Sequence, residues 1–145
     1  MDDWTRLYVE AELIRAGYGP ATWVAEAFSG ESSVVAVEAE RDGIRSLSAF
    51  SFETLDSGER LPTGHVILPY PAGGTAVTTP TDPWLVFGTW PDLDPEYHVM
   101  VGRLRDRTAR TCSAVSPGST EQLSVTDGVV VGWVDSSPQL LYETA

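Results

Sequence analysis

Ser33-Val34-Val35-Ala36-Val37-Glu38-Ala39-Glu40, Arg41-Asp42-Gly43 and Ile44-Arg45-Ser46-Leu47-Ser48-Ala49-Phe50-Ser51-Phe52 form the stretch that decides the fold class. Two β-prone runs flank an Asp-Gly, and a two-residue hairpin turn needs positive φ at both central positions, which Asp-Gly tolerates well. The spacing predicts an antiparallel hairpin. Downstream, short β-prone runs recur at 65–70, 84–88, 97–102, 111–115, 122–125, 129–134 and 139–142. Turn residues divide them: Pro91-Asp92, Asp106, Ser116-Pro117-Gly118-Ser119, Asp135-Ser136-Ser137-Pro138, and a second hairpin signal, Thr126-Asp127-Gly128. Upstream, 23–28 reads as a strand, although it also fits a second helix. Strands about every 8–12 residues with turn chemistry between them point to a mainly β fold, an antiparallel sandwich or a small barrel.

The start of the chain is different. Asp2 or Asp3 can cap a helix and complement its dipole, and Trp4, Leu7, Tyr8, Ala11 and Ile14 recur at helical spacing. That stripe predicts a helix over 3–16 with Trp4 docking it onto the sheet. Arg6 and Glu10 stand four apart and can pair along the solvent side. Gly17 suits the left-handed position after the last turn, and Pro20 follows shortly.

Residues 71–83 are rich in Pro, Gly and Thr and read as the longest loop. A lobe of about 70 residues on either side would bury too little surface to be stable alone, so one domain over 1–145 is expected, β-rich from 22 onward. No apolar run reaches the roughly 18 residues of a membrane span, and the acidic Met1-Asp2-Asp3 start does not resemble a secretory leader. A cytoplasmic location is the expectation.

Twenty-one carboxylates against nine basic residues give 9 − 21 = −12. All nine cations are arginine, and lysine and asparagine are absent, as GC-rich coding would produce. So negative a surface repels phosphate backbones and anionic membranes and attracts basic proteins. The expected partner is another protein, of basic character, with no nucleic acid or membrane. Four of the arginines fall in Arg103-Leu104-Arg105-Asp106-Arg107-Thr108-Ala109-Arg110, where Arg103 and Arg105 are candidates to fork onto an anion.

The sweep from Trp84-Leu85-Val86-Phe87-Gly88 to Thr126-Asp127-Gly128-Val129-Val130-Val131-Gly132-Trp133-Val134 resembles the C-terminal part of uncharacterised actinobacterial proteins with an immunoglobulin-like sandwich. The resemblance covers about the last 60 residues. It implies a fold and carries no catalytic residues; the antibody-type cysteine pair is missing, since Cys112 is alone.

Catalytic groupings do not emerge. There is no G-x-S-x-G elbow, and Cys112 meets His65 or His98 only through folding. The histidines lack metal-ligand spacing, and Asp92-Leu93-Asp94-Pro95-Glu96 fails as a calcium loop because Tyr97 and Arg103 occupy its key Gly and Glu positions. Gly73-Gly74 lacks the GK[ST] of a phosphate cradle. No cofactor or metal is expected. The aromatics stand out instead: Trp84, Phe87, Trp90 and Tyr97 crowd around a Pro- and Asp-rich turn, with Trp90 best placed for exposure. Trp23 and Trp133 read as core.

The leading expectation is a non-enzymatic binding module that uses Trp84, Phe87, Trp90, Asp92, Asp94, Tyr97 and His98. One alternative is an acidic inhibitor or immunity protein for a basic toxin or nuclease. The other is a small-ligand binder or enzyme with His98, Asp94, Glu96, Arg103 and Cys112 around a pocket at one end of the sheet.

Overall fold

In the computed structural model the described residues are 2–70, 84–91, 97–105, 109–116, 119–135 and 139–144. One helix, α1 (Asp3–Arg15), precedes ten strands: β1 (Thr22–Ser29), β2 (Ser32–Arg41), β3 (Ile44–Thr54), β4 (Arg60–Pro69), β5 (Trp84–Pro91), β6 (Tyr97–Leu104), β7 (Ala109–Ser116), β8 (Ser119–Thr126), β9 (Val129–Asp135) and β10 (Gln139–Thr144). The 23–28 run is a strand, not a second helix. The predicted loop 71–83 lies outside the described residues.

Both hairpin signals act as expected. Asp42 and Gly43 have φ 54° and 80°, Asp127 and Gly128 have 50° and 74°, and each pair joins two antiparallel strands. Local turn chemistry thus fixes register over ten β2–β3 pairs, from Ser32↔Glu53 to Arg41↔Ile44.

The strands form two open antiparallel sheets, ordered β1-β2-β3-β4 and β10-β7-β8-β9-β6-β5. They are layers and do not close into a barrel. β1 faces β8 and β9, β3 faces β6, and β4 lies beside β5. Side chains alternate between the faces of a strand, so Val34, Ala36, Leu47 and Ala49 point from the first sheet at Val99, Val101, Val129 and Val131 of the second. Their intervening partners, Val35, Val37, Ala39, Phe50 and Phe52, form the other face of the first sheet, which α1 covers. β2 is therefore apolar on both faces.

The second sheet also buries its outer face. β8 pairs through 119–123 with β7 and through 124–126 with β9. This shared strand brings Cys112 and Leu123 against Met100, Val130 and Val134. Burial pushes the Cys112 thiol up to about 11, so it is a small core hydrophobe and a poor nucleophile at neutral pH.

The helix is closed at both ends by its own sequence. The Thr5 N–H donates to the Asp2 carboxylate at 2.7 Å, and Asp2 also meets the Arg60 Nε at 3.1 Å, tying the helix to β4. Chiefly through the Thr5 hydrogen bonds, with Arg60 contributing, the Asp2 carboxyl is held below its ordinary range. At the far end Gly17 takes φ 89°, its N–H donates to Ile14 O, and the Tyr18 N–H donates to Leu13 O. That is a Schellman closure with Tyr18 packed on Leu13. No helix among the described residues is long and apolar enough to cross a membrane.

Candidate functional site

The aromatic group expected around β5 is divided by that strand. Val86, Gly88 and Trp90 face the first sheet, whereas Trp84 and Phe87 lie on the opposite side. Trp90 is half-buried. Its indole N–H donates to Ser51 Oγ at 3.0 Å, and its ring lies over Gly64, where a Cβ would approach to 2.7 Å. Ser51 also accepts from Thr63 at 2.8 Å and donates to Gly64 O at 3.3 Å, which uses its full hydrogen-bonding capacity. Trp90 is thus an inter-sheet anchor and not the exposed tip expected. The reason is that β5 continues through Pro91, so alternation carries Trp90 inward instead of the Pro-Asp turn carrying it out.

Trp84 fills a similar slot above Gly102, where a Cβ would stand 2.5 Å from its ring. Phe87 packs edge-on to Trp84 at 5.2 Å and stays 40 % exposed. His98 pairs with Pro91 across β5–β6 and is half-buried, its Nδ1 without a hydrogen-bond partner among the described residues. Tyr97 starts β6. Asp92, Asp94 and Glu96 lie outside the described residues.

Arg103 is fully buried between the sheets, where it is held from three sides. Its Nε donates to the Tyr70 hydroxyl at 2.7 Å, its Nη1 to Asp127 O at 2.9 Å and its Nη2 to Glu38 at 2.7 Å. The Glu38 carboxylate also meets exposed Arg45 at 3.6 Å. Arg103 does not fork onto one anion: a single guanidinium nitrogen meets the Glu38 carboxylate, and the other two are taken by Tyr70 and Asp127; Arg105 is half-buried just beyond β6. Burial, offset in part by Arg103, pushes the Tyr70 hydroxyl up to about 12. Sequence reasoning passed over Glu38. The available signal was a carboxylate in a strand apolar on both faces, since such a group must find a partner. Arg103 points between the sheets and Cys112 lies on the outer face of the second, so these two do not share a hollow. His65, on β4, is exposed and stacks flat on Phe50 at 5.5 Å.

The raised pKa values of Tyr70 and Cys112 make stability fall in alkali. The unfolded chain ionises near 10 and 9, the folded chain only near 12 and 11, so the stabilisation is complete below about pH 9 and is lost towards about pH 12. No lysine titrates in that window. Urea midpoints should fall between about pH 9 and 11, less steeply in Tyr70→Phe. A flat profile in the parent chain would contradict the assignment.

Of the eight large apolar side chains exposed among the described residues, three lie on α1. Thr5, Val9 and Leu13 anchor α1 to the first sheet, while Trp4, Leu7 and Ile14 are 46, 66 and 69 % exposed. At 100° per residue, 4, 7, 11 and 14 form one stripe directly opposite 5, 9 and 13. The stripe read from the sequence is real, but it faces outward; the sheet is met by the other side. Trp4 does both jobs, stacking on Tyr8 at 5.5 Å and meeting Phe52 edge-on at 6.0 Å. Arg6 turns to the Trp23 ring, at 5.5 Å, where pairing with Glu10 was expected. Glu12 and Arg15 form the ion pair on this helix instead.

No protein-family model, curated protein or solved structure matches this chain. The surface must speak through its chemistry.

Beyond Ile14 the stripe runs into a hollow of about 340 Å³ bounded by Glu10, Ile14, Tyr18, Gly19, Pro20 and Ala21. Along one edge stand Asp3 and Glu10, one heptad apart, neither with an ion-pair partner among the described residues. Apolar side chains aligned on a helix already anchored by its other face favour contact with another macromolecule.

Proposed function

We propose that this chain is a non-enzymatic protein-binding module whose contact surface is the outward face of α1. The observation that carries the reading is the exposure of Trp4, Leu7 and Ile14 in one line on a helix whose fold-bearing face is opposite. Folding does not explain the exposure of Leu7 and Ile14, because Thr5, Val9 and Leu13, with the edge of Trp4 on Phe52, already seat the helix. Capping at Asp2 and closure at Gly17 hold the face rigid, which reduces the ordering cost of an encounter. The formal charge of −12 favours a basic partner and quickens its approach at low salt.

A photoreactive amino acid placed at position 7 or 14 in cells that express the protein tests the reading. Adducts with another protein should form from both positions and not from the exposed control position 22. Absence of adducts from α1, or equal adducts from the control, would overturn it.

A further inference from the structure

We infer that the face of α1 receives one amphipathic helix of a basic partner, with the partner's apolar residues interleaving with Trp4, Leu7, Ala11 and Ile14 and its Lys or Arg residues meeting Asp3 and Glu10. The inference rests on the protein-binding reading above and names the class of occupant.

Two observations and one general argument select a helix. The exposed side chains follow a 3-4-3 spacing, the a and d positions of a two-heptad seam, to which a second helix is the complementary shape. A strand adding to a sheet edge would need free backbone groups, whereas a helix satisfies its own and offers side chains alone. The hollow at Ile14, Tyr18 and Pro20 lies in line with the seam and has room for one large apolar side chain from the end of the arriving helix.

The charge comes from the flanks. Asp3 and Glu10 occupy equivalent positions beside the seam, where coiled-coil partners place their ion pairs. The other flank carries Tyr8 and Arg15, and Arg15 is engaged by Glu12 at 2.9 Å. The carboxylates left to be matched thus lie on one side, and a helix with Lys or Arg at the facing positions matches them. A second copy is a poorer fit. An antiparallel copy sets Asp3 and Glu10 against their own counterparts, and any copy brings −12 against −12.

The test uses the full chain and three synthetic peptides of about 21 residues, three heptads long. One has Leu at every a and d position with Lys at the flanks, its twin has Glu for Lys, and the third has the Lys peptide's composition with the heptad spacing scrambled. Calorimetric titration should show the Lys peptide binding about tenfold or more tighter than either other peptide, and weakening as salt rises. Leu7→Gln/Ile14→Gln should weaken the Lys peptide by a similar factor, and Glu10→Lys should narrow the gap between Lys and Glu peptides. Equal binding of the scrambled peptide would reveal bulk charge attraction only and overturn the helix; equal binding of the Glu twin would overturn the basic partner. A dimer of the parent chain in sedimentation equilibrium, lost in Leu7→Gln/Ile14→Gln, would replace the foreign helix by a second copy. These failures leave the photo-adducts from positions 7 and 14 standing, whereas loss of the adducts removes the binding reading itself.

Discussion

Arg103→Ala should destabilise the protein by about 3–5 kcal/mol, the range found when one member of a buried ion pair is removed. The guanidinium holds the buried Glu38 carboxylate, the Tyr70 hydroxyl and the Asp127 carbonyl at once. Without it the carboxylate keeps the Tyr70 hydroxyl and Arg45, the latter at 3.6 Å and with a largely exposed side chain. Exposed pairs of that kind contribute about 0–1 kcal/mol, too little to offset the loss. Replacing both partners, as Glu38→Leu with Arg103→Met, should recover most of the stability, because the charge that costs so much to strand is then absent. Urea midpoints at neutral pH read both results. A loss below about 1 kcal/mol for Arg103→Ala would show that water reaches the pair and that it does not clamp the sheets.

Trp90→Ala carries the second large effect, a loss of about 3 kcal/mol or more. The ring spans the two sheets, lies over Gly64 and hydrogen-bonds Ser51. Trp90→Phe keeps the packing and removes the indole donor, so it should cost about 1 kcal/mol. Under conditions where Trp90→Ala is folded, its affinity for the Lys heptad peptide should equal that of the parent chain. Weakened binding with unchanged stability would return Trp90 to the contact surface expected from the sequence.

The two placements show what a sequence carries locally and what it does not. Asp42-Gly43 and Asp127-Gly128 announce their turns because positive φ is a property of the residues themselves, and the strand grammar follows from them. The ends of α1 are legible for the same reason, through the Asp2 carboxylate and the left-handed Gly17. Its orientation is not. The helix is apolar on both sides, and the more conspicuous stripe, Trp4, Leu7 and Ile14, is the one left mostly outside; Thr5, Val9 and Leu13 are buried, Val9 and Leu13 in one cluster with Phe50 and Phe52. Glu38 and Arg103 are 65 positions apart, so only the packing of one sheet on the other reveals that they meet. Trp90 faces inward because the strand runs through Pro91, so alternation and not a turn sets the direction of the ring.

The claim on which the account turns is that Leu7 and Ile14 of the α1 stripe are not used to fold. The direct measurement is the urea unfolding free energy of Leu7→Gln/Ile14→Gln beside that of Leu13→Ala. The double substitution should stay within about 0.5 kcal/mol of the parent chain, as surface changes do, while Leu13→Ala should lose about 2–5 kcal/mol. A loss in the double variant as large as that of Leu13→Ala would place the stripe in the core and contradict the account.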